Sequence, residues 1–219
     1  MKGLFQLLGY YKFLIKSSFK QSLLLLSLRR KIQIGKGCKI SKDFKFGKDN
    51  VIRDRVKIGQ SVKIGNDTVI GNNTTLNQIE INDNSHIEGG VKTTGYGNGI
   101  IRIGKESYIG IYTILDWSEN IEIGDFVHIA GPSTGIWTHT SSSMCLNSIP
   151  LKNKTETYRP TQPVTIENNV YIGGNCTIYP GVTIHHHSII APNSAVNKDV
   201  ESYSLYGGVP AKKIKNITP

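Results

Sequence analysis

From Ile34 onward an aliphatic or aromatic residue recurs at every sixth position: Ile34, Ile40, Phe46, Ile52, Ile58, Ile64, Ile70 and Leu76. Gly follows at positions 35, 47, 59, 65 and 71, and a smaller side chain falls four after the large one, as at Cys38, Val56, Val62, Thr68 and Thr74. The phase slips near Gln78 and resumes at Ile81 and Ile87. It returns at Ile103, Ile109 and Leu115, then at Ile123 and Ile129. The last run is unbroken: Ile166, Ile172, Ile178, Ile184, Ile190 and Val196. An α-helix would scatter a six-residue period around its surface, since six residues make about 1.7 turns. Simple strand alternation does not demand one dominant apolar position in six. A triangular coil does, with each hexad supplying one short strand and one corner, and with like residues stacking from coil to coil. The pattern therefore predicts an all-β protein, a parallel β-helix over residues 32–200 with about seven coils. Glycine after the large residue is expected to serve the special torsions of the corners.

Two interruptions break the period. Residues 92–102 read as a loop, and residues 136–162 as a longer one. A rigid repeat with a long excursion commonly carries function on the excursion. Residues 201–219 form a tail beyond the last hexads.

The N-terminal 1–31 follow a different rule. Leu4, Leu7, Leu8, Tyr11, Leu14, Ile15 and Phe19 recur at helical spacing, with Lys12, Lys16 and Lys20 on a separate basic line. This pattern predicts an amphipathic helix lying on an anionic membrane surface. The alternative is a helix capping the open end of the solenoid, where strand edges need cover. The apolar stretch is too short and too interrupted by Lys for a normal membrane span, and no small-residue cleavage site follows it.

Charge sharpens that division. The net charge is +10, yet residues 1–48 hold twelve Lys or Arg against one acid, Asp43, and the remainder is nearly neutral. Nucleic-acid binding would need basic charge along the main body, so that class is excluded. The three cysteines, Cys38, Cys145 and Cys176, are widely spaced and odd in number, which gives no disulfide framework or paired metal spacing. Reduced thiols fit a cytoplasmic protein, peripheral on the inner face of the cell membrane if the arm binds there. Cys38 and Cys176 fall in the small inward register and read as core.

His139, at the base of the long loop, is the candidate general base, because imidazole is poised near neutrality. On position alone it reads first as an ordinary loop histidine. Asp116 follows Leu115 on the preceding coil and falls at the same edge, where it could orient an imidazole or accept a hydrogen bond from an acceptor hydroxyl; on spacing alone it reads first as a corner or surface acid. Cys145 has no activating neighbour in the sequence. His185, His186 and His187 occupy successive corner positions, expected to point apart, so no metal site is assigned to them. His86 and His128 read as isolated.

The ordered combination of a His-bearing loop, Tyr171-Ile-Gly173, Asn197-Lys-Asp199 and Gly208-Val-Pro-Ala-Lys212 places the chain. Over roughly residues 32–217 it resembles the hexapeptide-repeat acyltransferases, close to the sugar O-acetyltransferases acting on galactosides, maltose and bacterial surface glycans. The resemblance implies a left-handed β-helix, a homotrimer with active sites between subunits, and acetyl-CoA as donor with no metal required. It makes His139 the catalytic loop histidine and Asp116, offset by one residue in spacing, an active-site carboxylate. It implies further that Gly173, Gly174, Ala191 and Pro192 line the pantetheine tunnel. Asn197 and Lys198 would form the outer cofactor site, and Lys212 and Lys213 would meet the coenzyme A phosphates. The acceptor would be a carbohydrate or glycolipid of surface-polysaccharide synthesis. N-acetylation of an amino sugar or nucleotide-linked amino sugar is the alternative. A β-helical metal hydratase would need three converging imidazoles, and a noncatalytic scaffold would need no His139 chemistry.

Overall fold

The structure, a computed structural model, describes residues 31–153, 155 and 157–218. The amphipathic arm expected over 1–31 lies outside the described residues save for Lys31. Among the described residues no helix is long and apolar enough to cross a membrane.

Strands of two or three residues follow one another around a triangular prism. They form three sheets of ten, eight and seven strands, called here the first, second and third sheet. Successive strands fall on successive sheets, and neighbours within a sheet run parallel, as Val51–Ile52 does with Val69–Ile70. The third sheet has seven strands, so seven coils have three strands each. Another strand pair, Ile189–Ile190 and Ala195–Val196, continues the first two sheets. The tail then extends the first sheet: Ser204–Gly207 pairs in parallel with Ile189–Ile190, and Lys212–Asn216 folds back antiparallel on it.

The six-residue period is the core. Ile52, Ile70, Leu76, Ile87, Ile109, Ile129, Ile172 and Ile190 are fully buried, and Val56, Val62, Thr68 and Thr74 fill the smaller inward positions. Cys176 is buried among them, while Cys38 is half-buried against the same core. Burial raises both thiols above their ordinary pKa, although backbone N–H groups partly offset it. The slip at Gln78 is a corner shortened by one residue. Ile64 pairs with Ile81, whereas Ile52 pairs with Ile70 one residue farther along the chain.

Two expectations are corrected. The glycines after the large residue do not supply the left-handed corner torsions. Those fall two residues later, on Asp67, Asn73, Asn84, Asn169, Asn175 and Asn193 among others, with φ of 52–60°, and Asn tolerates that region through its short polar side chain. The glycines are needed for closeness: a Cβ on Gly35 would lie 2.5 Å from the backbone of Arg53, and one on Gly71 2.4 Å from that of Gly89. The loop expected over 92–102 is also shorter. Lys92–Thr94 is a strand paired with Ile114–Asp116, and Thr93 points into the core. The excursion proper covers 95–100.

The outer faces differ sharply. Lys63, Glu80, Arg102 and Glu122 alternate in sign up the third sheet as one chain of ion pairs. The first sheet carries a ring ladder, His86–Tyr108–His128–Tyr171, with centroids 5.6, 4.5 and 5.4 Å apart. His86 and His128 are thus members of a stack rather than isolated. The second sheet starts with Lys39 and Lys57 and ends in small residues, Gly135, Thr177 and Ala195.

Candidate active site

Every excursion leaves from the corner after the second sheet. Thr94 pairs with Asp116, and Leu115 pairs with Ile136 one coil on. Residues 95–100, 116–120 and 137–162 therefore stack on three consecutive coils. The long excursion has a closed neck: His139 bridges Thr161 antiparallel, the N–H of Gln162 donates to the carbonyl of Thr138 at 2.8 Å, and that of Thr140 to Pro160 at 3.2 Å. That ladder sets the backbone of His139. Farther out, a short helix spans Ser142–Leu146 and buries only Met144.

At this corner Asp116 is fully buried. Its Oδ2 lies 2.5 Å from His139 Nδ1 and accepts the N–H of Thr138 at 3.0 Å. Its Oδ1 accepts the hydroxyl of Ser118 at 2.7 Å and the Ser118 N–H at 3.2 Å. Burial pushes the Asp116 carboxyl up. The Ser118 hydroxyl, the Thr138 N–H and His139 more than offset that, so its pKa lies below the usual carboxylate value. An ionised Asp116 makes Nδ1 the protonated nitrogen of a neutral His139 ring. Nε2 then carries the lone pair, on a side chain 22% exposed. This is the geometry of a general base held by a carboxylate.

Four contributors went unpredicted: Ser118, Thr138, the backbone of Tyr96, and Arg159. Thr138 also accepts the N–H of Glu119 at 3.0 Å. Buried Arg159 donates to Ser118 Oγ and to the carbonyl of Tyr96, each at 3.1 Å. None follows the six-residue period, and Arg159 lies twenty residues after His139 in an aperiodic stretch. Gly95 is a local signal. Its φ is 148°, and a Cβ there would meet Ser118 N at 2.7 Å and Asp116 Oδ1 at 2.9 Å.

The residues implied for the cofactor divide between two corners. Gly173 and Gly174 follow Tyr171–Ile172 of the first sheet, and Ala191 and Pro192 follow Ile189–Ile190 one coil on. They stack with Gly131 and Pro132 below: a Cβ on Gly173 would lie 2.5 Å from Pro192 N, and one on Gly174 2.3 Å from Gly131 O. Gly207 closes this edge above, where a Cβ would lie 3.0 Å from Ala191 Cβ. The result is a smooth edge with little side chain, the shape that an extended pantetheine would fit. Asn197 and Lys198 follow Ala195–Val196 of the second sheet and share the corner of His139. Lys212 and Lys213 start the terminal strand, and Lys213 is paired with Glu201 at 2.6 Å. The glycine edge and His139 stand one prism side apart, on the order of 15–20 Å for five or six extended residues.

The other candidates lie elsewhere. Cys145 is exposed on the loop helix. His185 turns to Glu167 at 3.0 Å, and His186 and His187 bring their Nδ1 atoms within 3.1 Å. Two of these three rings thus meet, against the expectation that adjacent ones point apart.

Two family models match the chain: bacterial transferase hexapeptide (six repeats) over residues 163–198, and the hexapeptide repeat of succinyl-transferase over 61–92. Both matched segments carry the hexapeptide repeat of bacterial transferases. The solenoid is the left-handed β-helix of such repeats. Among curated relatives, galactoside O-acetyltransferase of Escherichia coli is 36% identical over 124 residues, 56% of each chain. A chloramphenicol acetyltransferase of Agrobacterium fabrum is 35% identical over 80 residues, 36% of this chain and 38% of that one. The matched region spans less than two thirds of the length of these relatives. Among solved structures, AntD, an N-acyltransferase from Bacillus cereus in complex with dTDP and 3-hydroxybutyryl-CoA, superposes with a TM-score of 0.54. It covers 90% of this chain and 88% of its own at 22% identity, a likeness of fold.

Proposed function

We propose that the protein is an acetyl-CoA-dependent O-acetyltransferase acting on a sugar hydroxyl, with His139 as general base. The observation that carries this reading is the Asp116–His139 pair at the neck of the long excursion. His139 Nε2 takes the acceptor proton as the acceptor oxygen bonds to the thioester carbonyl carbon. The C–S bond then breaks, and the proton returns to the departing sulfur. Relatives named as acetyltransferases, one of them acting on galactosides, support the reaction class. The acceptor we favour is a glycan or glycolipid of surface-polysaccharide synthesis, with the basic N-terminal arm holding the protein at an anionic membrane. Co-sedimentation with anionic vesicles tests that last point, and a protein that stays in the supernatant sinks it.

In this reading the working unit is a trimer. One chain separates His139 from its own smooth glycine edge by a whole prism side. If the second sheet faces inward, with its small residues allowing close approach, each His139 corner meets the Gly174 corner of the next copy. Asn197 and Lys198 then stand beside the donor from the His139 side. Such a head-to-tail contact between unlike corners closes as a ring.

The test is coenzyme A release with mass detection of product, across sugars, amino sugars, nucleotide sugars and vesicle-held glycolipids, with light scattering on the same sample. O-acetylated product from a three-chain particle is expected. Product on nitrogen alone would replace the acceptor class. A fully active monomer would remove the shared site.

A further inference from the structure

Arg159 is buried, and among the described residues no carboxylate lies within ion-pair distance of it. Its guanidinium spends one nitrogen on the carbonyl of Tyr96 and another on the hydroxyl oxygen of Ser118, both at 3.1 Å. A buried cation without a direct counter-charge is costly. The nearest compensation in this network is Asp116, which shares the same hydroxyl with it: cation, serine and anion form one line.

The chemistry of that hydroxyl has a direction. Ser118 Oγ carries one proton and two lone pairs. The N–H groups of Arg159 and Tyr96 both point at it, at 3.1 Å each, and occupy its accepting capacity. Its single proton must then go outward to an acceptor. Asp116 Oδ1 stands at 2.7 Å and His139 Nδ1 at 3.3 Å. Donation to Asp116 holds the carboxylate by Oδ1 and leaves Oδ2 for the Nδ1 proton of His139. Donation to His139 would require an unprotonated Nδ1 facing a carboxylate oxygen at 2.5 Å, two lone pairs in opposition.

We propose that Arg159 is a positioning residue for the Asp116–His139 pair, acting through the hydroxyl of Ser118. It also joins the three excursions at this corner, since Tyr96, Ser118 and Arg159 belong one to each. The inference rests on reading His139 as the general base, yet its readout needs no acyl donor.

The experiment is proton NMR of the full chain in the far-downfield region, where an imidazole N–H held by a carboxylate resonates apart from other protons. Wild type is expected to show such a signal, assigned by its absence in His139→Asn. Arg159→Met is expected to lose it while the thermal transition persists, because the freed serine and carboxylate no longer hold one orientation. Ser118→Ala removes only the bridging hydroxyl and is expected to lose it too. It decides the matter if Arg159→Met does not fold. A wild-type signal retained by folded Arg159→Met or by Ser118→Ala overturns the proposal, as does its absence from wild type. Failure of the transfer assay with this dependence intact would sink the proposed function and leave the role of Arg159 standing.

Discussion

Two corners of the same prism have opposite constructions. The one after the first sheet is regular: small residues stack at Gly131, Gly173, Ala191 and Gly207, and a Cβ built on any of these glycines would come within 2.5–3.0 Å of an adjacent coil. The one after the second sheet is broken on three consecutive coils, and there the polar network gathers: Asp116, Ser118, Thr138, His139 and Arg159. The contrast has a physical cause. A repeat can stack only if each corner copies its neighbour, so it offers a smooth edge but few distinct functional groups. A site needs side chains that differ from one another. It arises where coils are interrupted and stray residues meet, held by hydrogen bonds in place of periodic packing.

The hardest blow to this contrast is His139→Ala. It is expected to lower turnover by about 10²–10⁴-fold, the usual scale of general-base catalysis, while affinity for acetyl-CoA and the solenoid persist. Steady-state kinetics beside direct donor binding measures the split. Near-wild-type turnover would move the chemistry off the irregular corner.

Asp116→Asn should follow, with turnover reduced on the order of 10²-fold through a misplaced imidazole. It should also carry a pH signature in stability. Folding holds the Asp116 carboxyl below its ordinary value. The charged form therefore stabilises the fold above about pH 4, and that contribution fades as pH falls through the folded pKa. Wild type is expected to melt above Asp116→Asn near neutrality, with the gap closing in acid. A gap that stayed constant down to pH 2 would deny the carboxylate its charged, hydrogen-bonded role.

The same contrast explains what could be read from the chain in advance. The prism was legible because Ile52, Ile70, Ile87, Ile109, Ile129 and Ile172 are the same structural position copied coil after coil. Periodicity is visible to inspection when burial repeats. His139 and Asp116 sit at breaks in phase, but position alone left them an ordinary loop histidine and a corner acid, and only the family resemblance gave them roles. Ser118 and Arg159 escaped both readings, because their partnership depends on how two aperiodic segments fold over each other. The glycines misled in the other direction. Their spacing was plain, but torsion was the wrong reason, since close approach between coils excludes a side chain there. Residues 92–94 fall in a break of the aliphatic period, yet Thr93 takes the inward position all the same.

The smallest expected effect tests the regular corner. Gly174 was singled out through resemblance to cofactor-binding members, yet its packing resembles that of Gly35 and Gly71, where no cofactor role is assigned. In each case an added Cβ would fall within 2.6 Å of backbone in the adjacent coil. Backbone cannot swing aside as the end of a side chain can, so Gly174→Ala must push two coils apart. Such overpacking costs about 1–3 kcal/mol, or a Tm lowered by roughly 2–4 °C per kcal/mol for a chain of this size. The same holds for Gly71→Ala, whose nearest backbone atom is Gly89 N at 2.4 Å. The pair therefore separates two roles. Both variants should melt lower by similar amounts, but only Gly174→Ala should also weaken acetyl-CoA binding, because Gly71 sits on the same edge four coils away and only the coils around Gly174 are proposed to lie beside the donor. Calorimetric melting with and without acetyl-CoA reads both quantities at once. Equal ligand-induced stabilisation of the two variants would leave Gly174 a packing glycine like the others and would move the donor away from the smooth edge.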